Sequence, residues 1–199
     1  MHTPHRHVHT AALSAWVVRF SGMVPAGEVL DLACGGGRHA LLFAALGHPV
    51  LAVDRDQAAL AQLSALGKPG LTTLQWDLET EAPDAWPFAS GRFAGIVVTN
   101  YLYRPLLNAM VGSLAPGGVL LYETFAQGNG RFGKPSNPNF LLAPGELLTL
   151  ANRSAEPLRV VAFEDGYTDQ PAPAMVQRLC AMRPGPSDQA GMPATAPQI

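Results

Sequence analysis

The sequence predicts an α/β protein built on a doubly wound, mostly parallel sheet with helices on both faces. Three observations carry that expectation. Residues 28–54, EVLDLACGGGRHALLFAALGHPVLAVD, run apolar strand, glycine loop, apolar helix, glycine stop and apolar strand, and end on an acid. That order is the opening βαβ unit of a nucleotide-binding sheet. Strand-like and helix-like segments keep alternating as far as residue 125. Across 199 residues, 48% are hydrophobic and 14% charged, which gives one domain a generous core.

In the βαβ unit, Val29, Leu30, Leu32 and Ala33 surround Asp31 in a short apolar run, as suits a strand buried on both faces. Gly35, Gly36 and Gly37 let the backbone turn sharply and approach a ligand without Cβ atoms in the way. The next helix starts near Arg38, so its free N–H groups and positive dipole end face whatever the loop holds. Gly47 stops that helix and Pro49 prevents its resumption. A second strand from Val50 to Val53 delivers Asp54 at its C-terminal tip, where an acid can bind both hydroxyls of a ribose.

Ahead of this unit, Thr10 is placed to cap a helix over residues 11–20, with Leu13, Trp16, Val17 and Phe20 on one face. After it, Asp56 caps a helix carrying Leu60, Leu63 and Leu66, and Gly67, Pro69 and Gly70 end it. Residues 71–75 read as a third strand, followed by Trp76, Asp77 and Leu78. Residues 93–99 form the fourth. A helix starting at Arg104 or Pro105, with proline suited to a first turn, has Leu106, Leu107, Met110, Val111 and Leu114 on its apolar face. Pro116-Gly117-Gly118 turns into a fifth strand over 119–125.

The rhythm then changes. Residues 126–143 are rich in glycine, asparagine and proline, and a loop of that length in a compact domain is expected to be a lid or binding segment. A short helix over 144–151 and two closing strands, 158–163 and 175–182, follow. Residues 1–10 hold four of the six histidines (His2, His5, His7 and His9); such tracts can bind transition metals, but a disordered terminus is the expected reading. Residues 183–199, proline-rich and without apolar periodicity, are expected to be disordered as well, leaving a domain over 11–182.

Composition excludes several classes. The net charge is −2, and the 13 Lys and Arg residues are scattered rather than clustered, which argues against a nucleic-acid substrate. No apolar run approaches a membrane span, and no secretory signal is recognisable. Two cysteines, Cys34 and Cys180, make no disulfide framework. A cytoplasmic location is expected.

The glycine loop, Asp31-Leu32-Ala33-Cys34-Gly35-Gly36-Gly37, does not have the G-x-G-x-x-G spacing of a dinucleotide site. It resembles the acid-x-G-x-G-x-G signature of class I S-adenosylmethionine (SAM) methyltransferases, in the variant D-L-A-C-G-x-G, with Ala33 at the first glycine. The likeness spans residues 11–182 and is nearest to compact, single-domain, tellurite-resistance-type enzymes. It implies a Rossmann-like doubly wound sheet of seven mostly parallel strands, one antiparallel, and SAM as cofactor, with no metal. An NAD-type oxidoreductase and a SAM-binding regulator without catalysis stand as alternative readings.

The resemblance also implies a site at the strand tips. Cofactor-binding candidates are Asp31, Ala33, Cys34, Gly35 and Gly37 in the first loop, Asp54 and Arg55 after the second strand, Asp77 and Leu78 after the third, and Asn100 after the fourth. Asp54 would read the ribose, Asp77 the adenine amino group, and Asn100 would face the sulfonium and acceptor. Asn100, Tyr101 and Glu123 are the catalytic candidates, with Glu123 the carboxylate best placed as a base. The leading helix would lid the cofactor. His39 is expected on a helix surface. The N-P-P-Y tetrapeptide of many nucleic-acid and protein amino-methylating enzymes is missing, so a small soluble molecule or anion is the expected acceptor.

Overall fold

A computed structural model describes residues 12–80, 86–153 and 157–185. Seven strands, β1 (Val29–Leu32), β2 (Val50–Asp54), β3 (Leu71–Gln75), β4 (Phe93–Thr99), β5 (Leu114–Phe125), β6 (Arg159–Thr168) and β7 (Ala174–Met182), form one sheet in the order β3-β2-β1-β4-β5-β7-β6. Pairing from β3 to β5 is parallel, whereas β7 runs antiparallel to both β5 and β6. This is the Rossmann-like sheet with one antiparallel strand that the sequence predicts.

Strand alternation divides the apolar residues into two cores. Val29, Val50, Ala52, Val97, Val119 and Leu121 face one side, with Trp16, Val17 and Phe20 of α1 (Ala15–Phe20), Ala40 and Phe43 of α2 (Arg38–Ala45), and Leu60 and Leu63 of α3 (Gln57–Ser64). Leu30, Leu32, Leu51, Val53, Ile96, Val98, Leu120 and Tyr122 face the other. There they meet Met110 and Val111 of α4 (Leu107–Gly112) and Leu147 and Leu150 of α5 (Glu146–Arg153). Nearly every central-strand side chain is therefore buried, which is why these strands read as unbroken apolar runs.

Several elements differ from expectation. Helix α1 is capped by Ser14, whose hydroxyl accepts from the Val17 N–H at 3.2 Å; Thr10 lies outside the described residues. Leu13 precedes the helix and is 42% exposed. Trp16, Val17 and Phe20 of α1 all turn onto the sheet, while Ala15 and the three residues before it border a cavity. Leu114 belongs to β5, opposite Phe93, not to α4, which a 3-10 turn (Arg104–Leu106) precedes. Strand β6 continues to Thr168 through the polar Glu164-Asp165-Gly166, held by its register with β7 rather than by burial. Arg183, just past β7, is still fastened to β5, exchanging backbone hydrogen bonds with Gly117 and Gly118, both at 2.9 Å. Pro184 and Gly185 are described as well, and Gly185 is buried, so residues 183–185 depart from the expected disorder; residues 1–10 and 186–199 lie outside the described residues.

The 126–143 loop is folded onto the body. Ala126 bridges Leu142, and the buried Asn129 donates to the Pro135 carbonyl while accepting from the Met175 N–H. Arg104 pins the far end, donating to the Asn139 and Leu141 carbonyls and to the Glu146 carboxylate.

Candidate active site

Strand order reverses between β1 and β4, and a doubly wound sheet opens a crevice at that point beyond the strand tips. Ala33 (φ 53°) and Asn100 (φ 57°) end these two strands, and they are the non-glycine residues with left-handed backbone among those described. Such strain gathers where the surroundings enforce it, commonly at ligand sites. Tyr122 holds the second tip, its hydroxyl donating to the Tyr101 carbonyl at 2.9 Å.

The crevice has two compartments. The smaller, about 160 Å³, lies across the tips of β1, β2 and β3 and is lined by Ala33, Asp54, Arg55, Trp76, Asp77, Leu78, Glu79 and Tyr101. The larger, about 530 Å³, lies over β4, β5 and β7. Residues 12–15, Arg38, Asn100, Glu123, Arg178, the 126–143 loop and the β6–β7 turn wall it.

Asp54 organises the small cleft. Its Oδ2 accepts from the Gly35 N–H at 2.7 Å and its Oδ1 from the Asp56 N–H at 2.9 Å. A carboxylate has about four lone-pair positions, so roughly two remain for a ligand. Gly35 (φ 53°) needs the left-handed region, and a Cβ there would meet nothing within 4 Å, so the loop faces open space. Gly37 serves packing instead. A Cβ there would stand 2.3 Å from Leu63, so its absence lets α2 approach α3. Asp77 caps its own turn, accepting from the Glu79 N–H at 3.0 Å.

Asp31 and Cys34 shape the loop from within. Asp31 is 2% exposed and its Oδ2 accepts from the Ala40 N–H at 2.8 Å, fastening the start of α2 to β1. Burial drives its pKa up to about 7, against the opposing pull of that N–H and of Arg38; the Asp54 charge adds to the rise. Burial, with the neighbouring Asp31 and Asp54 charges, also pushes the Cys34 thiol well above its ordinary value, so it stays protonated. Neither side chain lines the cleft.

The three catalytic candidates separate. Asn100 and Glu123 line the large cavity, their strand tips joined by the Asn100 N–H to Glu123 carbonyl bond at 2.9 Å. Tyr101 lines the small cleft instead. The Glu123 Oε2 accepts from Arg178 Nε at 2.6 Å, and Arg178 also reaches Glu164 at 2.8 Å.

His39 is not on the helix surface, contrary to expectation. It is 1% exposed; Nε2 accepts from the Ser14 N–H at 3.1 Å and Nδ1 lies 3.4 Å from the Thr99 hydroxyl. Burial, then the charge of Arg38, lowers its pKa to about 4, so the ring is neutral and ties α1 to α2. Arg38 is a site residue that the sequence does not single out. It donates to the Ala12 carbonyl at 2.6 Å and, at 3.4 Å, to the Thr99 hydroxyl, and borders the large cavity. One signal is present in the sequence: a cation in the first turn of a helix opposes the dipole and calls for a reason.

The small cleft suits an adenosine unit: it offers an acceptor-only carboxylate at Asp54, an indole wall at Trp76 and the open glycine turn. Its lining also includes Tyr101, whose buried hydroxyl has no hydrogen-bond partner among the described residues. An unpaired buried hydroxyl costs about 1–3 kcal/mol, which a bound polar ligand would relieve. Among the described residues no cluster of His, Cys, Asp and Glu could hold a metal, and no helix is long and apolar enough to cross a membrane.

Sheet order, switch point and glycine turn define the class I methyltransferase fold. Residues 29–118 match the family described as methyltransferase domain. Among solved structures, the chain superposes on TehB from Haemophilus influenzae with a TM-score of 0.70 at 21% identity, covering 88% of this chain and 64% of that one. It superposes on an S-adenosylmethionine-dependent methyltransferase from Mesorhizobium loti with a TM-score of 0.65 at 19% identity, covering 85% and 98%. A protein-L-isoaspartate O-methyltransferase of Chlorobium phaeobacteroides (strain BS1) is 35% identical over 106 residues, 49% of this chain and 43% of that protein, so less than half of that relative is spanned. The chain therefore has the fold of SAM-dependent methyltransferases, and its residues 29–118 match the methyltransferase domain family.

Proposed function

We propose that this protein binds SAM in the small cleft and transfers its methyl group to a small molecule held in the large cavity. The observation that carries the reading is that the two compartments flank the strained tips of β1 and β4, with Ala33 and the Asp54 carboxylate lining one and Asn100 lining the other. When bound, SAM supplies an electrophilic methyl group that leaves the sulfonium by in-line displacement.

The chain's own residues then have mainly to position and enclose. Asp54, which keeps Gly35 in place, would accept from the ribose hydroxyls, Asp77 and the Leu78 backbone would border the adenine, and Arg55 would flank the rim. Asn100, fixed in backbone by its bond to β5, presents its amide to the acceptor side. Holding two reactants in line is worth roughly 7–11 kcal/mol of barrier, so alignment supplies most of what such a reaction needs. For an acceptor that must lose a proton, Glu123 is the carboxylate within reach, its Oε2 fixed by Arg178.

Solution calorimetry tests the reading. S-adenosylhomocysteine (SAH) is expected to bind and NAD not to; NAD binding without SAH affinity overturns it. Tight SAH binding without turnover over a panel of thiols, amines, carboxylates and quinols leaves the regulator reading in its place. The buried thiols Cys34 and Cys180 suit a reducing, cytoplasmic setting.

A further inference from the structure

Charge is distributed unevenly between the two compartments. The small cleft carries Asp54, Asp77 and Glu79 against one cation, Arg55, which pairs with Glu79 at 3.9 Å. The large cavity carries Arg38, Lys134 and Arg178 against one carboxylate, Glu123. Arg178 is neutralised by Glu123 and Glu164. Arg38 and Lys134 have no ion-pair partner among the described residues. In a chain of net charge −2, two cations on one cavity with no carboxylate in ion-pair contact among the described residues are a local excess that a neutral acceptor would not use.

Arg38 is also pre-set. Its guanidinium has five N–H donors, and the bonds to Ala12 and Thr99 fix its plane while leaving donors over. It stands in the first turn of α2, where the helix dipole adds to its positive field, and Lys134 comes from the 126–143 loop. The remaining wall is largely apolar, with Phe125, Phe132 and Val176, and the volume of about 530 Å³ is that of a pocket for an organic ligand rather than an inorganic ion.

We infer that the acceptor is an organic anion with an apolar body, its acidic group held between Arg38 and Lys134. This rests on the methyl-transfer reading and names the substrate class of its second compartment. Specificity follows from charge on one wall and shape on the other: a neutral isostere would leave both cations without a counter-charge.

The test uses the full chain saturated with SAH and follows binding of 2-naphthoate against its neutral isostere 2-naphthamide by calorimetry. Naphthoate is expected to bind at least about tenfold tighter than the amide, and K134Q and R38Q each to bring the two within about twofold. SAH affinity, measured on each variant, reports folding and the cofactor site separately. Replacing naphthoate by 2-naphthyl phosphate shows which acid is preferred; preference for either over the amide supports the inference. Equal binding of acid and amide overturns it, as does displacement of naphthoate by inorganic phosphate at matching concentration, which would mark a simple anion hole. A loss in R38Q confined to SAH would assign Arg38 to the cofactor and also overturn it. Absence of SAH binding in the wild type would instead sink the methyl-transfer reading, while the acid–amide comparison could still be made on the free protein.

Discussion

The two compartments are built in different ways. The small cleft comes from consecutive strand tips: Ala33 after β1, Asp54 after β2, Asp77 after β3 and Tyr101 after β4. The large cavity draws on the approach to α1, the first turn of α2, the end of β5, the 126–143 loop and the β6–β7 turn. One is local and acidic, the other assembled from distant segments and cationic. A cleft made by consecutive strand tips can be written into short local motifs. A cavity assembled from distant segments can be changed at any of its scattered walls without disturbing the first.

The sharpest way to break the comparison is to damage the frame of the small cleft without touching its ligand face. Gly37→Ala forces a Cβ to 2.3 Å from Leu63 at φ 72°; overpacking and left-handed strain together should cost about 4 kcal/mol. Thermal melting should show a drop of roughly 8–16 °C. A variant as stable as the wild type would mean that α2 and α3 are not in close contact.

Asp31 gives a pH signature of the same frame. Its pKa is raised to about 7 from 3.8, so the folded protein holds this proton more tightly than the unfolded chain. Its contribution is fully present below pH 3.8 and is lost as pH rises towards about 7. Asp31→Asn cannot ionise and can still accept from Ala40. Relative to the wild type, its stability should rise with pH across that window by about 1.4 kcal/mol per pH unit at the steepest. Urea titrations at pH values of about 4.5 and 8 would test this; parallel behaviour of the two proteins would remove the buried, proton-binding Asp31.

On the ligand face, Asp54→Ala should weaken SAH binding about 100-fold, the loss of two charge-assisted hydrogen bonds at about 1.5 kcal/mol each. Unchanged affinity in calorimetry would take away its ribose role. The smallest effect is expected from Tyr101→Phe. Losing one hydrogen bond worth about 1 kcal/mol should cost roughly fivefold in SAH affinity. Since the hydroxyl has no partner among the described residues, the free protein should be no less stable without it. Weaker folding with intact SAH binding would place that hydroxyl in a structural bond instead.

Legibility in the sequence follows the same division. Residues 28–54 foretell β1, the glycine turn, α2, β2 and Asp54, because each of those decisions is local: apolar period, chain reversal at glycine, a polar residue at a strand end. Tyr101 is expected as a catalytic candidate with Asn100 and Glu123 but lines the small cleft apart from them, since the direction of a side chain after a strand depends on how the chain leaves the sheet. His39 is expected to be exposed because a single histidine in a helix carries no mark of what covers it, and here the covering comes from Ser14, 25 residues earlier. Arg38 and Lys134 are 96 positions apart (134 − 38), so no motif could join them.

From the amino-acid order alone follow the class of fold, the order of strands along the chain and the glycine loop, because backbone propensity and apolar periodicity act over a few residues. Only the folded chain decided that α1 is a layer of the core, that Glu123 is clamped by Arg178, and that two cations without an ion-pair partner among the described residues share one cavity. Those are outcomes of packing between segments far apart in the chain, where distance in space has no counterpart in distance along the sequence.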